Sequence, residues 1–370
     1  MTWNWQHKNW PQFNYNVEAF KEYELKFIEN SGILYGSIKH IDTEEQQALK
    51  VDLISDEAYK TSEIEGEVLN RDSIHSSIRR QLGLQVDHRK IKPAETGVAE
   101  MMVDLYQNYG APLDHKSLCL WHEMLTNGRR DLEDIGRYRT HDDPMQIVSG
   151  PLGRSIIHFE APPSNEVPVQ MMSYIDWFNE TNRGNKMELP ALVRSAIAHL
   201  YFECIHPFED GNGRIGRALS EKSLSQSIGK PTLIALSHVI EERKKDYYKA
   251  LEMNNKDLDI SDWIAYFCEM VLDAQAFTQR TIDFVIEKGK FYSRFQDKLN
   301  ERQISVVERI FKEGFKGFDG GLSSKNYQSI SGAPSATATR DLTRLVEMGA
   351  FVKEGELKGT RYYLNLSNRN

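Results

Sequence analysis

Residues 206–217 read His-Pro-Phe-Glu-Asp-Gly-Asn-Gly-Arg-Ile-Gly-Arg, and few chain geometries can hold them. Upstream, Leu192, Val193, Ala196, Ile197, Leu200, Tyr201 and Cys204 recur at helical spacing behind Pro190, which suits a first helical position. That spacing predicts a helix with one apolar face, and Pro207 disfavours its continuation through His206. A second helix is predicted over Ile215–Ser225. The whole is a helix, a tight loop and a helix. Gly211 and Gly213 let the loop backbone approach a ligand and expose N–H groups. The start of the next helix adds unpaired N–H groups and a positive dipole end, so the turn is an anion site. Arg214 and Arg217, three residues apart, share one side of that helix. Two guanidinium groups beside an N–H nest suit a polyphosphate. Asp210 adds a hard carboxylate of the kind that holds Mg²⁺ against phosphates. His206, with an ordinary pKa of about 6.5, is largely neutral at pH 7, as a general base must be. Together these groups suffice to activate a hydroxyl against a nucleotide phosphate.

Each element also has a plainer meaning. Asp-Gly-Asn-Gly by itself is a turn, and a single histidine is more often structural than catalytic. His199, Glu203 and His206 have the spacing of zinc ligands on a continuous helix, but Pro207 spoils that face. Upstream, Thr61 and Glu65 stand at i and i+4 within Thr-Ser-Glu-Ile-Glu-Gly. Alone they are a solvated helix face.

The 206–217 stretch resembles the Fic motif, His-Pro-Phe-x-Asp-Gly-Asn-Gly-Arg-x-x-Arg, and matches it at every fixed position. The resemblance implies a mainly α fold and transfer of AMP from ATP to a Ser, Thr or Tyr hydroxyl of a protein. By the same resemblance His206 would be the base and Asp210 the ligand of Mg²⁺, with Mn²⁺ as an alternative. Gly211, Asn212 and Gly213 would form the anion hole. Arg214 and Arg217 would contact the β- and γ-phosphates, with Ile215 and Gly216 completing the nucleotide-binding stretch. Phe208 would pack the loop. Tyr248, in Asp246–Leu251, resembles a residue of the helix lining the adenosine side. Thr61–Gly66 is similar to the family's inhibitory pattern, in which Glu65 would pair with Arg217 and keep the γ-phosphate from its seat. Gln146–Val148 and Ser155–Phe159, around a Gly/Pro turn, predict a hairpin where the family carries a flap. Such a strand can register an extended target segment by backbone hydrogen bonds.

The remaining chain bounds the alternatives. It has 370 residues, 40% apolar and 27% charged, the balance of a soluble globular protein. Its net charge of −8 argues against coating nucleic acid or anionic membrane. No secretory h-region or spanning apolar stretch is present, and three scattered cysteines fit reduced thiols; the expected compartment is the cytoplasm. Three parts are expected. Residues 1–90 hold an aromatic-rich segment and the inhibitory helix; 91–295 form the Fic-type core; 296–370 form a winged-helix-like domain of three helices and a hairpin. In the first part, Trp3-x-Trp5 suggests a short strand, and Thr43 an N-cap of a helix reaching Leu69. The aromatic segment also looks like the small domain preceding some bacterial Fic cores. The last part raises nucleic acid as a partner through Arg340 and Arg344, opposed by Asp341 and Glu347 on the same helix. A homodimer is a further expectation. Other readings keep the core but use another nucleotide donor, remove AMP, or make the core the nucleotide sensor of a DNA-binding regulator.

Overall fold

The computed structural model describes residues 2–85, 90–150, 156–315, 317–318 and 320–366. The chain forms two compact units, one of 1–33 and 47–277, the other of 34–46 and 278–370. The helices run α1 (Lys21–Ile38), α2 (Thr43–Ile64), α3 (Arg71–Gln81), α4 (Pro93–Gln107) and α5 (His115–Leu125). A hairpin of β1 (Gln146–Ser149) and β2 (Ile156–Glu160) follows; Pro151 to Ser155, at its turn, lie outside the described residues. Then come α6 (Val167–Glu180), α7 (Ala191–Ile205), α8 (Asn212–Ile228), α9 (Leu236–Glu242), α10 (Lys244–Met253) and the long α11 (Ser261–Phe295). The fold is mainly α, as the sequence implied.

In the first unit α7 is the axis. Its sequence was read as one apolar face, but the helix is buried nearly all round. Arg194, on the supposedly open side, is fully buried and bonds the carbonyls of Phe178 and Ser223 and the side chain of Gln226. A buried guanidinium with its donors occupied is tolerable where an unpaired one is not. Pro190 precedes the helix as its N-cap rather than forming its first turn. Helix α8 packs back along α7. It begins one residue after Gly211 (φ +84°) and stops at Gly229 (φ +77°), both in the left-handed region that glycine adopts without strain.

The N-terminal aromatic segment forms no strand. Asn4–Gln6 is a 3₁₀ turn, closed by the Gln6 side chain accepting from the Trp3 N–H. Local side-chain bonds of this kind compete with extended pairing. Trp5 donates to the Glu160 carbonyl at 2.7 Å, and Trp10 and Phe13 meet Tyr201 edge-on at 5.1 and 5.8 Å. The segment is a packing layer over α7 and the hairpin base. Helix α2 is capped by Asp42, whose carboxylate accepts from the Glu45 N–H at 2.9 Å, not by Thr43. It ends at Ile64, short of Leu69, because Gly66 at φ +83° turns the chain.

In the second unit, α12 (Glu301–Lys312), α13 (Ser324–Ser331) and α14 (Ser335–Glu347) precede an antiparallel hairpin of β3 (Phe351–Glu354) and β4 (Arg361–Leu364). Phe291, Val306, Val307, Phe311, Tyr327, Leu342 and Leu345 share its core. Asp341 does not stand beside Arg340 and Arg344 on the outer surface of α14. It is buried, accepting from Tyr327 Oη and Arg302 Nε, both at 3.1 Å.

Candidate active site

His206 ends α7 in the left-handed conformation (φ 49°, ψ 61°), since Pro207 bars it from the helix. Such a φ is uncommon for a residue with a side chain and needs outside support. Arg139 supplies it. Its guanidinium donates to the carbonyls of His206 (2.8 Å) and Pro162 (2.6 Å), and its N–H to that of Pro207 (2.9 Å). Phe208 is fully buried and stacks on His122, ring centroids 4.3 Å apart. The Asn212 side chain returns to bond both the N–H (3.0 Å) and the carbonyl (2.8 Å) of Phe208. Asn212 therefore spends its amide closing the loop. Glu209 fastens the other side by accepting from the N–H groups of Glu133 and Asp134.

A cleft of about 630 Å³ opens beside this loop. His206, Asp210, Gly211, Asn212, Gly213, Arg217, Glu65 and Tyr248 line it, with the exposed edge of the β1–β2 hairpin along one wall. Burial is the main force on the His206 ring, with Arg139 second, and together they hold its pKa down to about 4. Glu203, largely buried 3.7 Å from His206 Nδ1, is pushed the opposite way, up to about 8, also by burial. At neutral pH the pair is thus an uncharged imidazole beside an uncharged carboxyl.

Arg217 is buried on α8 and is met by α2. Its Nε donates to Thr61 Oγ1 (2.8 Å), and Nη2 to the Thr61 carbonyl (2.9 Å) and to Glu65 Oε1 (2.7 Å). Burial opposes its charge, but Glu65 outweighs it and raises the pKa above the ordinary arginine value. A side-chain carbon at Gly213 would displace the Glu65 carboxylate from its place on Arg217. Tyr248 Oη leans on the Ile64 carbonyl, at the end of the same helix, at 3.4 Å.

Arg214 is buried on the loop side of α8. It donates to Glu67 at 2.7 Å and to Asp210 at 3.4 Å. Asp210 is also held by Arg129 Nη1 at 2.5 Å, and burial, which raises its pKa, loses to these cations, so it stays ionised. Among the described residues, Arg217 Nη1 and Arg214 Nε have no hydrogen-bond partner despite their burial. Unused buried guanidinium donors suit phosphate oxygens. One ionised carboxylate beside them fits a Mg²⁺ or Mn²⁺ ion that takes its other ligands from phosphate and water. It does not suit a zinc cage, and no cluster of three or more metal-ligating side chains occurs among the described residues.

Three of the expected nucleotide-binding residues, Arg214, Ile215 and Gly216, are not among those lining the cleft. Ile215 is fully buried in the apolar core, its N–H bonded to the Gly211 carbonyl. Gly216 faces Glu203 and His199, which leave no room for a side chain. The contribution of Ile215 and Gly216 is to let α8 approach α7. Conversely, sequence reading passed over Arg129, Arg139, Glu67 and Glu209. The two arginines lie in a loop without periodicity. Glu67 carried a faint signal, as a second carboxylate two residues beyond Glu65.

A Fic/DOC family profile matches residues 112–224, and a profile described as a domain of unknown function, DUF4172, matches residues 3–84. The "Protein adenylyltransferase fic-1" of Caenorhabditis elegans is 26% identical over 187 residues, covering 50% of this chain and 32% of that protein. The "Probable protein adenylyltransferase" of Aquifex aeolicus is 39% identical over 61 residues, 16% of this chain and 18% of that one. The chain thus spans a third or less of either relative. Among solved structures, a Fic family protein from Desulfovibrio desulfuricans G20 superposes with a TM-score of 0.53 at 21% identity, over 97% of this chain and 99% of that one. A Fic-domain signalling protein from Bacteroides thetaiotaomicron gives 0.51 at 21% identity, over 68% and 97%. No helix among the described residues is long and apolar enough to cross a membrane. The helical core has the fold of solved Fic-family structures, and residues 112–224, which hold the complete His206–Arg217 loop, match the Fic/DOC family.

Proposed function

We propose that this chain transfers AMP from ATP to a Ser, Thr or Tyr hydroxyl of another protein, and that Glu65 restrains it. The observation that carries the reading is one cleft holding a neutral His206, the N–H groups at the start of α8 and Arg217, with Glu65 seated on that arginine. The partial relatives named protein adenylyltransferases support the same activity.

In this reading the N–H groups of Asn212 and Gly213, at the start of α8, and the spare donors of Arg214 and Arg217 receive the polyphosphate. His206 takes the proton of the incoming hydroxyl as its oxygen attacks the α-phosphorus, and pyrophosphate leaves. Arg139 keeps the imidazole at the loop's edge through its grip on the backbone. Asp210 would hold the divalent ion, which, when bound, neutralises phosphate charge; Arg129 has to release that carboxylate first. The hairpin edge receives an extended target segment. Glu65, a carboxylate where a phosphate oxygen would sit, competes for Arg217. The target protein is thus recognised by backbone and the nucleotide by its phosphates, which leaves the base to be identified by trial.

Incubating the protein and its Glu65→Gly variant with each α-³²P nucleoside triphosphate, with and without Mg²⁺, tests this. Label in protein from ATP, Mg²⁺-dependent and greater in the variant, is expected. A variant that labels no protein with any nucleotide, while binding ATP, would overturn the reading.

A further inference from the structure

The β1–β2 hairpin carries a feature that target docking does not require. Ile147 pairs with Phe159 and Val148 with Ile157, so His158 is the extra residue of a β-bulge. Bulges re-aim side chains. The His158 ring meets Ser149 on the neighbouring strand, with Nε2 2.6 Å from Oγ. Its other nitrogen, Nδ1, lies 3.0 Å from a carboxylate oxygen of Glu252 on α10. The carboxylate demands a proton on Nδ1, which leaves Nε2 to accept the serine hydroxyl. Asn255, one turn further on, fixes the bulge by donating to the His158 carbonyl at 3.2 Å. A hydroxyl, an imidazole and an orienting carboxylate in that order are the parts of an activated nucleophile. All three line the same cleft as His206 and the Gly211–Gly213 loop, and Ser149 is exposed.

We infer that Ser149 is itself a site of AMP attachment, its hydroxyl activated by His158 and Glu252. The inference rests on the AMP-transfer reading above. Ser149 Oγ attacks the α-phosphorus of ATP bound in the cleft, and an Oγ–P bond forms as the bond to the bridging oxygen breaks. Pyrophosphate leaves with that electron pair, and the hydroxyl proton passes to His158 Nε2. Glu252 does not touch the reacting atoms; it positions the ring and stabilises the imidazolium.

The test uses the full chain carrying Glu65→Gly, incubated with ATP and Mg²⁺ and mapped by tandem mass spectrometry. AMP is expected on Ser149, lost in Ser149→Ala and recovered in Ser149→Thr, which keeps the hydroxyl. His158→Gln should slow Ser149 labelling about 10²-fold, the lower range of general-base effects. Glu252→Gln should slow it less and move its pH profile, which a purely structural role would not do. Because nucleophile and phosphate loop share one cleft, the fraction labelled per minute should survive tenfold dilution of the protein. AMP found on other residues or on an added peptide, but not on Ser149, overturns this site while leaving the transfer reading intact. Labelling of Ser149 that His158→Gln leaves unchanged, or that dilution suppresses, also overturns it. Absence of both label and pyrophosphate release overturns both.

Discussion

Glu65 Oε1 lies 2.7 Å from Nη2 of Arg217, although 152 residues separate the two in the chain. Thr61, one helical turn before Glu65, holds the same guanidinium through its hydroxyl and its carbonyl. The end of α2 and the residue just beyond it therefore meet the arginine with three acceptors.

Removing the carboxylate should free Arg217 for ATP. Glu65→Gly is expected to raise the initial rate of AMP transfer by about tenfold or more, equivalent to ~1.4 kcal/mol. Thr61→Ala, which forfeits one hydrogen bond of about 1 kcal/mol, should raise it about fivefold. The rate of α-³²P incorporation at fixed ATP is the measurement. An unchanged rate in Glu65→Gly would remove the restraint from the account.

His206→Ala should lower transfer by about 10²–10⁴-fold while leaving ATP binding, read by calorimetry, nearly intact. The pH profile is a second check. Burial depresses the imidazole pKa to about 4, so the ring is already the neutral base at pH 6. With Glu65→Gly, the rate limb belonging to His206 should stay flat from pH 8 to pH 6 and fall only towards pH 4. A limb centred near 6.5 would contradict the buried position of this ring.

If Asp210 holds a divalent ion, Arg129, now paired with that carboxylate, would compete with it. Arg129→Ala should lower the Mg²⁺ concentration for half-maximal rate several-fold, and Asp210→Asn should abolish the Mg²⁺ dependence. A Mg²⁺ titration of the Glu65→Gly protein in both backgrounds decides it. If the two titrations of Arg129→Ala and its parent superpose, Arg129 is no gate on that carboxylate.

Stability should also follow pH. Glu57 on α2 is buried where it accepts from the Ser237 N–H and hydroxyl, and burial raises its pKa to about 8. Glu221 on α8 is buried against Thr232, and burial raises its pKa to about 7. Both would titrate near 4.5 in the unfolded chain. Between 4.5 and 8 the folded state therefore holds more protons, and its stability falls as pH rises. Tm should drop from pH 6 to pH 8.5, and Glu57→Gln or Glu221→Gln should flatten that slope. A Tm that is constant or rises over this interval would show that these carboxyls are not buried as described.

Much of the cleft was legible in the sequence because its parts are local. Pro207 after an apolar helical run, and glycines before the next helix, set a helix–loop–helix whatever surrounds them. The C-terminal helices, which the sequence places at Ile304–Glu313, Ser324–Ile330 and Ser335–Met348, fall within three residues of α12, α13 and α14 for the same reason: capping and periodicity act over one or two turns. The failures were of a different kind. Trp3 and Trp5 suggested a strand by alternation, but a strand needs a partner and Gln6 offered a nearer bond. Ile215 and Gly216 were grouped with the ligand-facing residues by position in the motif, whereas helix geometry turns them into the α7–α8 interface. Arg129 and Arg139 stand in a loop with no period to mark them.

The order of residues from His206 to Arg217 determined a turn able to receive phosphate, since proline and glycine restrict the backbone before any tertiary contact forms. Packing of α2 against α8 decided that Glu65 should occupy Arg217 and that Glu67 should take Arg214. Packing likewise set Arg129 on Asp210 and joined Ser149, His158 and Glu252. Spacing along a chain reports which side chains share a helix face; it carries no information on which distant face the folded core presses against it.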